Sequence, residues 1–464
     1  MQASGSGWRL AVRVGLALVL AGCGGAAVTD GGTSGASAAA CSAGALPDPA
    51  DLFTWTTAEK IVGFSHTAGL FATEPFRAGE RADRLKRGAL PAFTYEYGGR
   101  RNTIDDYFAH TKAAALLILK GDTIVAERYA PGITEDTLWE SKSVGKSVVS
   151  TLIGVALKQG KIRALDDTVE RYLPELVGTA YEGVTLRDML RMASGVQWNE
   201  DYLDPSSDFN AVYGCIVRQA PSCVLPIMRS LPRALDPATG APAVPGAIWN
   251  YSTGEAHLLG LVLQRATGRS LAQYLEDAVW RPCGMERDGL WIRESQRGPD
   301  FGGIGFNATL RDYGRFGQFV MNDGALPHGG HALPHGWVRE ATTWTAPSSL
   351  PGYADNGQYG YLWWFSPAYD DGINLASPLS TRTPAPPQNT TATVVAPMTG
   401  TTADWTFAAI GIFGQMIAIN QREHVVFVQW ATWDRPDPLD LAVDPSDPYN
   451  EQSVFINAVI DALH

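Results

Sequence analysis

The segment from Trp139 to Leu157 constrains the fold most. In it, the stretch over 139–147, which contains most of its polar residues, is followed directly by an apolar stretch over 148–157. Its apolar residues recur at helical spacing, which predicts a buried helix that begins at about Ser143 and ends near Gln159-Gly160. Ser143 and Lys146 are three residues apart, so they share one face of this helix and the ammonium can lie beside the hydroxyl. The remaining elements must pack around this helix.

Ser143 and Lys146 have the chemistry of a nucleophile with its base. A serine hydroxyl attacks poorly at neutral pH unless a neighbouring base takes its proton, and a desolvated lysine can be that base. The N-terminus of the helix adds N–H groups and positive potential, which favour an oxyanion. Taken alone, the pattern also fits a solvated lysine beside a helix cap. A phosphate-binding loop at Gly145-Lys146-Ser147 is excluded, because that motif requires glycine where the chain has Glu140.

Residues 1–22 predict a signal peptide. Two arginines precede an apolar run, Val14 to Ala21, that is too short to span a bilayer. The run ends in Leu20-Ala21-Gly22-Cys23, which resembles the bacterial lipoprotein lipobox and implies a lipidated Cys23; ordinary secretion with loss of Cys23 is the alternative. Residues 23–49, rich in Gly, Ala, Ser and Thr, predict a flexible tether. We therefore expect an exported bacterial lipoprotein, anchored to the membrane through Cys23, on the periplasmic face of the outer membrane or at the cell surface.

Residues 50–464 have the composition of a globular domain. Hydrophobic residues make up 45% of the chain and charged residues 18%, which suits a sizeable core. The formal net charge of −12 argues against nucleic acid as a partner. His328, His331 and His335 lie among Gly and Pro in a predicted loop, so we expect no metal and no cofactor. The sequence carries no signal for an oligomeric state.

The cysteines predict one disulfide. An exported protein meets an oxidising compartment, which favours disulfide formation. Cys215 and Cys223 flank a short loop, and we predict a bridge between them. Cys41 and Cys283 would then pair by elimination, or are two unrelated thiols.

The order of predicted elements is strands, helices and strands again. Two apolar runs on either side of Lys120-Gly121-Asp122 predict a β-hairpin. Helical patterns dominate from about 160 to 300, and strand-like runs return near the C-terminal end, before a helix over 450–463. This order predicts an α/β domain of the α+β type with an inserted all-α lobe over about 160–300. A Pro/Thr/Ala-rich segment over 366–403 predicts a surface loop near the site.

Two further stretches contain candidate site residues. Tyr251 precedes a predicted helix, and a tyrosine held by a neighbouring cation can act as a base, although packing on a turn is the ordinary use of tyrosine. Ala409 to Gln415 is predicted to open a strand. Glycines in this stretch would let the strand edge approach a substrate and donate a backbone N–H, unless they only begin a Gly-rich strand.

Three motifs resemble, in order, those of the serine β-lactamase and penicillin-binding-protein superfamily. They are Ser143-Val-Gly-Lys146, Tyr251-Ser-Thr253 and Ala409-Ile410-Gly411. The resemblance covers roughly residues 100–462. Within this superfamily, the closer resemblance is to class C-like esterases and 6-aminohexanoate-oligomer (nylon-oligomer) hydrolases. It implies a β-lactamase-like fold, in which an antiparallel sheet is flanked by helices.

The resemblance also implies a serine hydrolase that cleaves carboxylic esters or linear amides through an acyl-enzyme. Ser143 would be the nucleophile, with Lys146 and Tyr251 as the coupled base and later the acid. The backbone N–H groups of Ser143 and Ile412 would form the oxyanion hole. The residues implied to contact a small-molecule ester or amide substrate are Tyr202, Gly411 and Gly414.

One departure from the family bears on the substrate. Where the family has a basic and a hydroxyl residue, this chain has Ala409 and Ile410, which favours uncharged esters or amides over β-lactams unless Arg382 supplies the charge. The alternatives are a catalytically silent family member that binds cell-wall peptide or a partner protein, and a β-lactamase or D-aminopeptidase.

Overall fold

The computed structural model describes residues 45–82, 85–237, 239–342, 348–349, 359–365, 406–436 and 448–464. The predicted signal peptide and most of the predicted tether, with Cys23 and Cys41, lie outside the described residues. The predicted surface loop, with Arg382, also lies outside them.

The described chain alternates between helices and strands. The α-helices are α1 Thr57–Ser65, α2 Thr67–Leu70, α3 Ile104–His110, α4 Val144–Lys158, α5 Leu186–Leu190, α6 Asp208–Val217, α7 Val224–Ser230, α8 Thr253–Thr267, α9 Leu271–Leu275, α10 Leu310–Met321, α11 Trp337–Ala341 and α12 Pro448–Leu463. The strands are β1 Thr73–Phe76, β2 Lys86–Arg87, β3 Tyr95–Tyr97, β4 Arg100–Asn102, β5 Ala113–Lys120, β6 Thr123–Tyr129, β7 Trp139–Glu140, β8 Ile248–Trp249, β9 Gly289–Ile292, β10 Phe306–Ala308, β11 Ser348–Ser349, β12 Trp364–Phe365, β13 Thr406–Gly411, β14 Gln415–Asn420 and β15 Val425–Ala431.

A seven-stranded sheet forms the centre of the domain, with the strand order β12-β13-β14-β15-β5-β6-β2. Its neighbouring strands are antiparallel except for the short β2–β6 pair. The predicted hairpin is confirmed as β5 and β6, and Gly121 adopts a φ of 58° in the turn, where glycine meets no steric penalty. The predicted architecture, an antiparallel sheet flanked by helices, is confirmed.

Helix α10 covers one face of this sheet at very short range. A Cβ atom at Gly314 would lie 2.6 Å from the side chain of Leu117, and one at Gly317 would lie 2.5 Å from that of Val426. Glycine at these two positions therefore lets the helix backbone approach the strands more closely than any other residue would.

Helices α3 and α12 cover the opposite face. Phe427 follows Val426 along β15, and successive strand residues point to opposite faces of a sheet. Its ring packs against Phe455 of α12, which stacks in turn on Tyr107 of α3 at 3.8 Å between centroids. Because helices cover both faces, β5 is buried from Ala113 to Leu119.

Helix α4 begins and ends where its apolar spacing predicts. Ser143 precedes it as the N-cap, and Gln159 follows it as the C-cap. The helix packs against α8 and β13, and its residues from Val144 to Ala156 are buried. Each fully buried aliphatic side chain of this kind contributes roughly 1.5–3 kcal/mol. The packing of α4 against these elements thus fixes the position of its N-terminus.

The described chain between α4 and β9 contains helices, turns and the two-residue strand β8. Thr185 caps α5 in a capping box with Asp188. The lobe is shorter than the predicted 160–300 range, because β9 begins at Gly289 and joins the four-stranded sheet β1-β9-β10-β7.

A disulfide joins Cys215 of α6 to Cys223, which precedes α7, with 5.7 Å between their Cα atoms. Cys283 is buried in the core. Within the described ranges, every helix is too short or too polar to cross a membrane.

Candidate active site

Helix α4 places the two groups that the sequence singles out. Ser143 stands at its N-terminus and is 7% exposed, and Lys146 lies in its first turn and is 1% exposed. Lys146 Nζ lies 2.7 Å from Ser143 Oγ. The structure therefore brings the amine and the hydroxyl into direct hydrogen-bonding contact.

The backbone just before Ser143 is held in an uncommon conformation. Lys142 has a φ of 51°, in the left-handed region that residues other than glycine rarely adopt. Its Nζ lies 2.5 Å from Glu140 Oε2, and both side chains are buried. The Ser141 N–H donates to the Phe306 carbonyl at 3.0 Å. This ion pair and this backbone contact fix the conformation of the chain just before Ser143.

Three oxygen atoms surround the amine of Lys146. Besides Ser143 Oγ, they are Thr253 Oγ1 and the carbonyl oxygen of Gly303, each 2.9 Å from Nζ. The carbonyl reaches the amine because Gly303 lies close to α8. A Cβ atom at Gly303 would be 2.6 Å from the Thr253 carbonyl oxygen. The position of Lys146 Nζ is thus set by contacts from three different elements.

A buried carboxylate, Glu200, stands behind Thr253. Glu200 Oε1 accepts from the Thr253 hydroxyl, and Oε2 accepts from the Thr253 backbone N–H at 2.9 Å. The indole N–H of Trp198 donates to Oε2 as well, and the Tyr202 hydroxyl donates to Oε1 at 3.2 Å. Four donors therefore satisfy a carboxylate that is 4% exposed.

The electrostatics of the site make Lys146 a usable base. Burial lowers the pKa of Lys146 to about 8, and the negative charge of Glu200 opposes that shift. Burial raises the pKa of Glu200, and Lys146 opposes that shift in turn. An amine with a pKa of about 8 is partly neutral under mildly alkaline conditions and can accept a proton.

Tyr251 lies beside the amine, just before α8. The helix begins at Thr253, with Ser252 as its cap, so Tyr251 lies outside the helix. Lys146 Nζ lies 4.8 Å from the centroid of the tyrosine ring. The structure therefore joins the second predicted motif to the first.

Aromatic rings pack around Tyr251. Its ring centroid lies 5.6 Å from that of Trp364, 6.0 Å from that of Tyr359 and 6.4 Å from that of Trp249. All four side chains are buried. This cluster excludes water from one side of the amine, which accounts for part of its desolvation.

The end of β13 meets the N-terminus of α4. A Cβ atom at Gly411 would lie 2.3 Å from the Ser141 carbonyl oxygen and 3.1 Å from the Ser143 backbone nitrogen. Gly411 therefore has to be glycine because it touches the backbone next to Ser143. Ile412, the other proposed oxyanion donor, follows directly.

The stretch from Ala409 to Gln415 differs from the predicted strand opening. Ala409 and Gly411 end strand β13, and the 3₁₀ turn Ile412–Gly414 then leads into β14. The reason is a pair of residues with positive φ, Phe413 at 63° and Gly414 at 87°. A Cβ atom at Gly414 would lie 2.5 Å from Trp433, so this glycine serves close packing.

Tyr202 lies next to the site, with its hydroxyl on Glu200. Its ring stacks on Phe53 at 5.7 Å and meets Phe209 edge-on at 4.7 Å. Phe53, which belongs to a 3₁₀ turn over Pro49–Thr54, also lies 6.2 Å from the ring of Phe413.

Sequence reasoning missed the roles of Glu200, Thr253 and Gly303. A weak signal was available for Thr253, because it occupies the third place of the Tyr-x-Thr motif. Glu200 lies two residues before Tyr202, but only the tertiary fold brings Glu200 and Gly303 to Lys146. In the part of the chain that the structure describes, no group of three or more His, Cys, Asp or Glu side chains could hold a metal ion.

A comparison with known families agrees with this geometry. The Beta-lactamase family model matches residues 100–446, which is most of the chain. The chain belongs to the beta-lactamase family. The matching relatives carry the names of hydrolases, and this chain is a serine hydrolase. The predicted family is thereby confirmed.

Individual relatives within the family carry several activities in their names. The chain is 26% identical to the 6-aminohexanoate-dimer hydrolase of Paenarthrobacter ureafaciens over 348 residues, which cover 72% of this chain and 76% of that protein. It is 30% identical to Esterase EstB of Burkholderia gladioli over 171 residues, or 35% of this chain and 41% of the esterase.

A solved structure supports the fold. The putative 6-aminohexanoate-dimer hydrolase from Bacillus anthracis superposes with a TM-score of 0.66, at 19% sequence identity, over 87% of this chain and 93% of that chain. At this level of identity the likeness concerns the fold alone.

Proposed function

We propose that this chain hydrolyses uncharged carboxylic esters or linear amides through an acyl-enzyme formed on Ser143. The observation that carries the proposal is the contact of 2.7 Å between Lys146 Nζ and Ser143 Oγ. Burial lowers the pKa of this amine to about 8, so it can take the serine proton. The names of the relatives, a 6-aminohexanoate-dimer hydrolase and an esterase, support these substrate classes.

The proposed reaction has two halves. Ser143 Oγ attacks the carbonyl carbon while its proton passes to Lys146, and the oxyanion accepts from the backbone N–H groups of Ser143 and Ile412. The C–O or C–N bond then breaks, and the leaving group receives the proton from Lys146 through Tyr251. Water next attacks the acyl carbon and loses a proton to Lys146, the bond between that carbon and Ser143 Oγ breaks, and Oγ takes the proton back as the acid leaves.

The position of β13 supports this oxyanion hole. Gly411 touches the backbone at Ser143, which brings the following residue, Ile412, to the N-terminus of α4. Backbone donors at a helix N-terminus stabilise a developing negative charge.

Replacement of Ser143 by alanine tests the proposal. We expect Ser143→Ala to lose turnover of p-nitrophenyl butyrate and labelling by a fluorophosphonate probe, because the atom that forms the acyl-enzyme is gone. The matched control is Ser150→Ala, since Ser150 is buried in the same helix and its hydroxyl has no described partner. Wild-type turnover in Ser143→Ala would refute the mechanism, and a wild-type chain that the probe does not label would indicate a binding protein.

The end of β13 supports the preference for uncharged substrates. Ala409 and Ile410 are buried, and their side chains offer neither charge nor hydrogen bond to an anion. A charged contact of the missing kind is worth roughly 1.5–3 kcal/mol. We therefore expect kcat/KM for p-nitrophenyl butyrate to exceed that for nitrocefin, and the opposite ratio would show that another group binds the anion.

We further propose that lipid on Cys23 holds the hydrolase at the bacterial cell envelope. The lipobox-like Leu20-Ala21-Gly22-Cys23 and the small-residue segment after it support this placement. Cys23→Ser should release the protein from the membrane fraction or leave its precursor uncleaved. A wild-type chain that is soluble and not acylated would contradict the proposal.

A further inference from the structure

The proton positions around Lys146 follow from the chemistry of its neighbours. The carbonyl of Gly303 can only accept a hydrogen bond. The hydroxyl of Thr253 has one proton, and it can either donate that proton or accept from Lys146. Whether the Lys146 lone pair points at Ser143 therefore depends on where the Thr253 proton goes.

Glu200 settles the direction of the Thr253 hydroxyl. Its Oε2 receives the backbone N–H of Thr253 and the indole N–H of Trp198, two donors that cannot accept. Its Oε1 receives the hydroxyls of Thr253 and Tyr202. Because the Thr253 hydroxyl donates its hydrogen bond to the carboxylate, the lone pairs of Thr253 Oγ1 face Lys146 Nζ at 2.9 Å.

We propose that Glu200 is a positioning residue that aims the lone pair of Lys146 at Ser143 by way of Thr253. A neutral amine has two protons and one lone pair. Thr253 and Gly303 accept hydrogen bonds from the two N–H groups of the amine, so its lone pair is left facing Ser143 Oγ at 2.7 Å. This inference rests on the proposed function, in which Lys146 takes the proton of Ser143.

The substitution Glu200→Gln should reverse the chain of hydrogen bonds. The amide oxygen of the glutamine must face the two obligate donors, the Thr253 N–H and the Trp198 indole. Its NH₂ group then faces Thr253 Oγ1, which turns round, accepts from the amide and donates its own proton to Lys146. The lone pair of the amine is thereby occupied by Thr253 instead of by Ser143, and the Tyr202 hydroxyl oxygen accepts the second N–H of the amide.

The experiment compares four variants: Glu200→Gln, Thr253→Val, Thr253→Ser and the double variant Glu200→Gln/Thr253→Val. The readouts are kcat/KM for p-nitrophenyl butyrate and the rate of fluorophosphonate labelling, with thermal unfolding as the control for folding. We expect Glu200→Gln to lower both rates on the order of 10²-fold, the scale of a general base. Thr253→Ser should keep most of the activity, because serine also places a hydroxyl between Glu200 and Lys146.

The double variant distinguishes this role from a structural one. If Glu200 acts through Thr253, valine removes the misdirected hydroxyl, and the double variant should be more active than Glu200→Gln alone and close to Thr253→Val. Losses that simply multiply in the double variant would overturn the proposal.

The remaining outcomes separate this inference from the proposed function. Wild-type rates in Glu200→Gln, with Ser143→Ala inactive, would overturn the inference and leave the proposed function standing. Turnover by Ser143→Ala would remove the proposed function itself. If Glu200→Gln does not fold, the Thr253 pair decides: a loss in the valine variant that the serine variant does not share supports the inference, and equal rates in the two refute it.

Discussion

Lys142 and Lys146 lie four residues apart, one before α4 and one in its first turn, and both are buried, but each reaches a carboxylate differently. Lys142 Nζ contacts Glu140 Oε2 directly at 2.5 Å. Lys146 reaches Glu200 only through the hydroxyl of Thr253. Burial lowers the pKa of both amines, and in both cases the carboxylate opposes the shift.

The difference shows how one short segment can contain two kinds of lysine. Lys142 is a structural lysine, and Lys146 is a chemical lysine, one that exchanges a proton with the nucleophile. The interaction between two charges weakens with the distance between them, so a direct pair holds its proton more firmly than a pair with a hydroxyl in between. Lys142 has no nucleophile among its described partners and ties the backbone before Ser143 to Glu140. Lys146, with a pKa of about 8, contacts the serine hydroxyl and can exchange a proton with it.

The largest effect should come from removing the chemical lysine. Lys146→Met should lower kcat/KM for an ester by roughly 10²–10⁴-fold, the contribution typical of a general base. Steady-state kinetics on p-nitrophenyl butyrate measure it, with Lys158→Met at the exposed end of the same helix as the matched control. A loss of less than tenfold would show that another group activates Ser143.

Removal of the structural lysine should affect stability instead. Lys142→Met leaves Glu140 charged and buried without its partner, which typically costs roughly 3–5 kcal/mol. Urea unfolding measures the free energy, and the ester turnover of the folded fraction should fall much less than in Lys146→Met. The reverse pattern, a stable protein without turnover, would place Lys142 in the reaction.

Contacts between residues close together in the sequence could be predicted from it, and contacts between distant residues could not. The spacing of Ser143 and Lys146 within an apolar helix is a local pattern, and the structure places their side chains in contact. The hairpin over β5 and β6 is local in the same sense.

The contacts that tune Lys146 join residues far apart in the chain. Glu200 and Thr253 are separated by 53 positions, and Lys146 and Gly303 by 157. No periodicity or spacing encodes such pairs. The contact of Gly411 with the Ser143 backbone was hidden for the same reason, since it depends on how β13 packs against α4.

A pH profile sharpens the comparison with a smaller effect. The neutral amine of Lys146 is the proposed base, and it forms as the pH rises through a pKa of about 8. Below that pH, kcat/KM should therefore fall about tenfold per unit of pH, as the ammonium form takes over. The Lys142→Met variant should show the same limb, because it leaves Lys146 and its partners in place. A profile that is flat between pH 6 and pH 9 would contradict the assignment of Lys146 as the base.

The smallest effect should come from removing both charges of the structural pair. Breaking a buried ion pair leaves a charge without compensation, whereas replacing both partners by apolar residues is often neutral. Glu140 Oε1 has no hydrogen-bond partner among the described residues, so this carboxylate is only partly satisfied even in the wild type. The double variant Glu140→Met/Lys142→Met should therefore unfold at a higher urea concentration than Lys142→Met and should keep most of its ester turnover. If the double variant is less stable than Lys142→Met, the carboxylate stabilises the fold through contacts other than Lys142. If it is stable but inactive, the charge of Lys142 acts on Ser143, and the division between a structural and a chemical lysine is wrong.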